Sequence, residues 1–267
     1  IGLSYAFARR WSFSEKWSLL FSFLIATTPV FIFYSRFAFE ANVALALFVA
    51  SFLLLSNKSS TAVRTLIVQL LGLLLYYWSL CTYNTPLLLA PALVVLLWSR
   101  CTRNKLQFGK KLRYVLLPTL GVIVIAGLFL FQTRTLLEQK KSITIFSDPT
   151  IQAEYPDYRN SFAPPWNTLL GNEKVYFALL TINHALATFS PQFLGLQGGA
   201  HPWHSLVGYG HYFFHQYVFV MIGFLFCLFF SIKYLRTDKT QFLLPLLVVL
   251  ALSLAPAAVT VDAPHAT

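Results

Sequence analysis

The sequence predicts an all-α polytopic membrane protein with about seven transmembrane helices and one long extracytoplasmic loop. Three observations predict it. The 267 residues are 57% hydrophobic and only 11% charged, with a mean hydropathy of +0.64, whereas soluble domains carry about 25% charged residues. Seven apolar runs recur along the chain, five of them near the length that crosses a bilayer core of about 30 Å and two shorter. The connections between them alternate between strongly basic and nearly neutral, the pattern that places Lys and Arg on the cytoplasmic side.

The runs follow in order. The first, 17–34, comes after Arg9, Arg10 and Lys16. A polar link, Ser35-Arg36-Phe37-Ala38-Phe39-Glu40, leads into the second, 41–56. Lys58 and Arg64 precede a short third run, 65–79, which ends in Tyr76-Tyr77-Trp78. The turn CTYNTP, 81–86, opens a short fourth run to Trp98. The most basic stretch follows, with Arg100, Arg103, Lys105, Lys110, Lys111 and Arg113, and then the fifth run, 114–131. After a polar segment, 132–216, the sixth and seventh runs, 217–232 and 241–259, flank Lys233, Arg236 and Lys239. Drawing the two short runs as one re-entrant pair breaks the charge alternation downstream, so seven spans in a single membrane domain, 1–267, are expected.

The charge distribution settles what the net charge of +11 is for. The basic connections hold fourteen Lys and Arg against Glu15 and Asp238, while the opposite side holds six Lys and Arg against seven carboxylates. Charges dispersed over separate short loops read as topology rather than as a nucleic-acid footprint, so no nucleic-acid partner is expected. Cys81, Cys101 and Cys227 show no paired spacing, and neither a disulfide framework nor a zinc motif follows. The chain starts at Ile1 without a Met, shows no signal peptide, and stops at Thr267 just after a run; the expectation is a piece of a longer protein, cut at both ends.

All six histidines, His184, His201, His204, His211, His215 and His265, fall on the non-basic side. So does the segment 132–216, which is longer than an idle connector needs to be, and whose Pro149, Pro156, Pro164, Pro165, Pro191 and Pro202 predict irregular structure early in it. Within it, 172–189 (NEKVYFALLTINHALATF) has an apolar face at helical spacing. That reads either as a helix on the membrane surface or as one packed on the loop's own core.

Four constellations on that side can carry chemistry. Arg36 and Glu40 lie four apart near span ends, where charge is expensive and usually functional. They can form an interface ion pair worth a few tenths of a kcal/mol, or Arg36 can grip a phosphate bidentately. Tyr83-Asn84 precedes Pro86 in a turn. In Gly198-Gly199-Ala200-His201-Pro202-Trp203-His204 and Gly208-Tyr209-Gly210-His211, glycines allow close backbone approach and imidazoles offer donors, acceptors or proton transfer. Metal pairs such as His201 with His204, or His211 with His215 on a helix, lack carboxylate or cysteine partners at ligand spacing, so no metal or other cofactor is expected. Asp262 and His265 sit at the mouth of the last run, in TVDAPHAT.

Taken in order, Ala8-Arg9-Arg10, PVFIFYSRFAFEAN, YYWSLCTYNTP, INHALATFSPQFL, GGAHPWHSLVGYGHYF and LAPAAVTVDAPHAT make the chain resemble the membrane glycosyltransferases of the protein O-mannosyltransferase and aminoarabinose-transferase type, family 39. The last motif and SRFAFE are the most specific parts. The resemblance implies a GT-C fold in the bacterial plasma membrane, with basic loops cytoplasmic. It implies a polyprenyl-phosphate-linked sugar donor and an extracytoplasmic acceptor (protein, lipid or glycan). The family's catalytic acidic residue belongs to an outer loop expected upstream of Ile1, so the general base is not expected in this chain, and Glu40 is no confident substitute. Arg36 is expected to contact the departing phosphate, with His201, His204 and His211 as second-rank binders and Glu40, Tyr83, Asn84, Asp262 and His265 completing the substrate-binding set. An O-antigen ligase or polymerase using a diphosphate carrier is the alternative, with fewer loop arginines here than that class calls for. A transporter would show polar-lined spans or repeats, and a purely structural subunit leaves the His and Gly clustering unexplained.

Overall fold

The computed structural model describes residues 1–10, 13–36, 40–57, 61–104, 109, 112–139, 144–198, 210–233 and 243–261. Among these residues the chain is helical, and the one β feature is an isolated antiparallel bridge, Thr144 to Thr260. Two compact units emerge. The first comprises 1–131 and 215–253, the second 132–214 and 254–267, so the boundary falls inside the last helix.

The first unit holds α1 (Gly2–Arg10), α2 (Glu15–Thr27), α3 (Pro29–Arg36), α4 (Glu40–Leu55), α5 (Ala62–Thr82), α6 (Thr85–Leu88), α7 (Ala90–Asn104) and α8 (Leu117–Gln132), the last entered through a π-helical turn, Leu112–Leu116. The expected first run, 17–34, is two helices. Pro29 lacks an N–H and disfavours the α conformation at the residue before it, and Thr28 is extended at φ −70°, ψ 126°. Thr28 heals part of the break itself, its N–H bonding Ile25 O at 3.4 Å and its Oγ1 bonding Leu24 O at 2.7 Å.

The third run is longer than its apolar stretch suggested. Thr61 caps α5, accepting from the Arg64 N–H at 3.4 Å, and the helix continues to Thr82. Two stretches, Ala62–Thr82 and Tyr114–Gln132, are long and apolar enough to cross a membrane. At 1.5 Å per residue they span about 32 and 28 Å. Glu40–Leu55 and Phe214–Phe226 are shorter apolar helices.

Helices α4 and α5 form the tightest pair, as an antiparallel hairpin. Gly72 permits it, since a Cβ there would sit 2.9 Å from Leu55 Cδ2. Small residues at such contacts let helix backbones approach closely. Phe48, Leu55, Tyr76, Leu80, Leu93 and Val122 are among the core side chains.

Burial in this unit runs opposite to the pattern of a soluble bundle. Ser18, Ser22, Ser51, Thr65, Gln69 and Thr119 are buried, while Leu66, Ile67, Leu70, Leu120, Ile123 and Leu128 are exposed. Three of the hydroxyls bond backbone carbonyls one turn back, Ser18 Oγ to Ser14 O at 2.9 Å, Ser22 Oγ to Ser18 O at 3.0 Å and Thr65 Oγ1 to Thr61 O at 2.9 Å, whereas Ser51 Oγ and Thr119 Oγ1 are buried without a hydrogen-bond partner. Helix α13 (Phe214–Lys233) is exposed at Phe219, Ile222 and Leu225, and α14 (Leu243–Val259) lays Val249 and Leu252 on the core.

The second unit carries α9 (Arg134–Gln139), α10 (Pro149–Asn160), α11 (Trp166–Leu169) and α12 (Glu173–Thr188), then a π-helical turn, Gln192–Gln197. Asp148 starts α10 by accepting from the N–H groups of Thr150 and Ile151 at 2.9 and 3.0 Å, with Pro149 in the first turn. These are ordinary capping signals. Asn172 does the same for α12 through Lys174 N–H at 2.8 Å. Gly198 closes the π turn at φ 70°, a left-handed conformation that glycine adopts without strain.

Candidate functional site

In the first unit the candidate residues sit at helix ends. Arg36 is the last residue of α3 and Glu40 the exposed first residue of α4; the Arg36 side chain and residues 37–39 lie outside the described residues. Tyr83 caps α5 at its C-terminus, its N–H bonding Ser79 O at 3.1 Å. Asn84 is helical at φ −80°, ψ −19°, and its side chain makes no cap bond to α6. That side chain is half-buried and accepts no N–H of the following turn.

In the second unit the described part of the histidine motif begins at Gly210. His201, His204, Asp262 and His265 lie outside the described residues. His211 is buried, 6% exposed, with its ring edge-on to Phe193 at 4.7 Å. The next residue, Tyr212, donates its N–H to Leu194 O at 2.8 Å. Gly210 makes that contact possible, because a Cβ there would lie 2.6 Å from Leu194 O and 2.7 Å from Gly195 Cα. The described glycine of GYGH thus admits the chain's own 194–195 backbone. His211 precedes α13, whose second residue is His215, so the two do not share a helix turn as a metal pair would need. Among the described residues no group of three or more His, Cys, Asp or Glu is placed to hold a metal ion.

Sequence reasoning missed a tyrosine cluster that organises this unit. Tyr176 stacks against Tyr158 at 4.9 Å and Tyr155 at 5.8 Å. Tyr155 donates its hydroxyl to Gly171 O at 3.1 Å and Tyr158 to Leu170 O at 3.0 Å, tying α10 to the turn before α12. The signal was present as the i,i+3 spacing of Tyr155 and Tyr158, but their partner lies 18 residues further on. His184, one of the six histidines of the non-basic side, lies on the inward side of α12, and its Nδ1 is buried without a hydrogen-bond partner. Beside the cluster, an open groove of about 630 Å³ is lined by Phe146, Phe177, Ala178, Thr181 and Ile182, with Glu173 and Lys174 at one end. Thr181 spends its hydroxyl on Phe177 O at 2.7 Å, so the groove wall is almost wholly apolar.

Two phenols here titrate late. Burial pushes Tyr212 up; burial and then the neighbouring Glu154 carboxylate push Tyr176 up. Both favour the neutral form in the fold, so their stabilisation is complete below the ordinary tyrosine value of about 10 and is lost as pH rises through the higher folded values. Alkaline unfolding followed at the tyrosinate absorbance band is expected to start above pH about 10, and Tyr212→Phe is expected to move its midpoint upward. An unmoved midpoint assigns the transition to other groups.

Compared with family models, curated proteins and solved structures, the chain matches none.

Proposed function

We propose that this chain is a multi-pass integral membrane protein of the GT-C glycosyltransferase type, which binds a polyprenyl-phosphate-linked sugar and serves its transfer to an extracytoplasmic acceptor. One observation carries the membrane half of the reading: beside its leucine and aromatic core, the first unit buries Ser18, Ser22, Ser51, Thr65, Gln69 and Thr119 while Leu66, Ile67, Leu70, Leu120, Ile123 and Leu128 face outward. Water rewards the opposite arrangement; hydrocarbon rewards this one, because polar groups there must be satisfied inside the protein. In the seven-span reading α2 and α3 share one crossing, broken at Thr28. Helices α4 and α14, about 24 and 26 Å long, cross through local thinning of the bilayer. The chemical half rests on the resemblance carried by SRFAFE, GGAHPWHSLVGYGHYF and TVDAPHAT.

Arg36 at the end of α3 supplies the guanidinium that such a donor needs, since a planar fork grips a phosphate with two parallel hydrogen bonds. Donor binding is the readout. Arg36→Ala is expected to weaken binding of a short-chain polyprenyl phosphate by the detergent-solubilised chain about tenfold or more, with Arg36→Lys between the two. Equal affinity in all three removes Arg36 from the donor site. Binding of a diphosphate carrier in preference to the monophosphate moves the chain to the ligase class.

A further inference from the structure

We propose that α12 is a lipid-docking helix, seated in the boundary between headgroups and acyl chains by the arc of Val175, Ala178, Leu179, Ile182 and Leu186. The inference rests on the reading that the chain spans a membrane. At 100° per residue these five side chains share one stripe of the helix. Leu179, Ile182 and Leu186 are 50%, 54% and 64% exposed. The helix makes its ring contacts within the unit from its other side: Tyr176 lies against Tyr155 and Tyr158, and Phe177 meets Phe146 at 5.3 Å, while these three side chains have no such partner among the described residues. The apolar groove continues the stripe through Ala178 and Ile182, and Trp166 and Leu169 of α11 are also exposed, at 57% and 68%.

What covers this face follows from charge and from how the unit is tethered. Over 160–214 of this unit the formally charged residues are Glu173 and Lys174 alone, both in the first turn of α12, the unit's other charges lying at 134–159 and at Asp262. A soluble surface is normally far richer in charge, and a polar-rimmed apolar patch of this kind marks an interaction site. The tethers select lipid as the occupant. The unit is entered from the apolar stretch that ends at Gln132 and left through the apolar helix that starts at Phe214, so in a bilayer both ends are held at its surface. With no row of Lys or Arg on α12, docking draws on apolar burial to a depth of roughly 5–10 Å, and is insensitive to salt and to the anionic lipid fraction.

The test uses the full chain with Cys81, Cys101 and Cys227 changed to Ser, reconstituted in phosphatidylcholine vesicles, and labelled with nitrobenzoxadiazole through Ile182→Cys or Leu186→Cys. Asp157→Cys on α10 is the aqueous reference and Leu120→Cys on α8 the bilayer reference. The expected result is quenching of the 182 and 186 labels by lipids carrying a shallow doxyl group, with iodide quenching about threefold or more below that at 157. Iodide quenching equal to that at 157, with the 120 label in lipid, overturns the proposal and leaves the membrane reading standing. Protection of the 182 and 186 labels from both quenchers also overturns it, because a protein surface then covers the arc. An iodide-accessible 120 label removes the membrane reading and this inference together.

Discussion

Tyr76→Ala is expected to cost the first unit about 3–5 kcal/mol, the usual loss when a large aromatic leaves a packed core. Tyr76 is fully buried between α4 and its neighbours, with its ring 6.4 Å from Phe48 and edge-on to it. Tyr76→Phe is expected to behave in the opposite sense. The Tyr76 hydroxyl is buried with no hydrogen-bond partner, so its removal relieves a desolvation penalty and changes stability by about 1 kcal/mol or less, toward greater stability. Thermal unfolding of the two variants in one detergent separates the contributions of ring and hydroxyl. A Phe variant as damaged as the Ala variant means that the hydroxyl is bonded in the folded protein, and that the inward polar groups form a network.

The second large effect is expected at Gly210. Alanine there places a Cβ against the Leu194 carbonyl and Gly195 Cα. Both are backbone atoms, which cannot swing aside as the tip of a side chain can. The strand of chain at 210–212 must lift, breaking the Tyr212 N–H bond to Leu194 O and the His211 contact with Phe193. Overpacking and the lost bond together cost about 3 kcal/mol. Hydrogen exchange at the Tyr212 amide reads the loss locally, with the rest of the chain as reference. Gly127→Ala and Gly223→Ala are the controls, since a Cβ at either meets nothing within 4 Å and a helical Gly→Ala change stabilises by about 0.5–1 kcal/mol. Normal protection of Tyr212 in Gly210→Ala would contradict the close approach.

The helices of this protein were largely legible in the sequence because their signals are local. Apolar runs and the cap Asn172 act within one turn, whereas the prolines from 149 onward predicted irregular chain and the structure makes Pro149–Asn160 a helix, capped by Asp148, with Pro149 in its first turn and Pro156 inside it. The break at Thr28 was legible too, in the residue before Pro29, although hydropathy alone joined the two helices into one run. The candidate site was legible only as a set of residue types on the non-basic side of the chain. Arg36 with Glu40, and Tyr83 with Asn84, are close because they are near in sequence; nothing local fixes where those pairs lie relative to the second unit's histidines. Sequence therefore determined which segments are helices and which connections are basic, through backbone propensity, apolar length and the placement of charge. Tertiary structure decided which serines and threonines turn inward, that Gly210 accommodates the 194–195 backbone, and that Tyr176 rather than Leu179 meets the rings of Tyr155 and Tyr158. Each of those choices depends on partners far away in the chain, where only packing geometry and the competition for buried surface decide which face is covered.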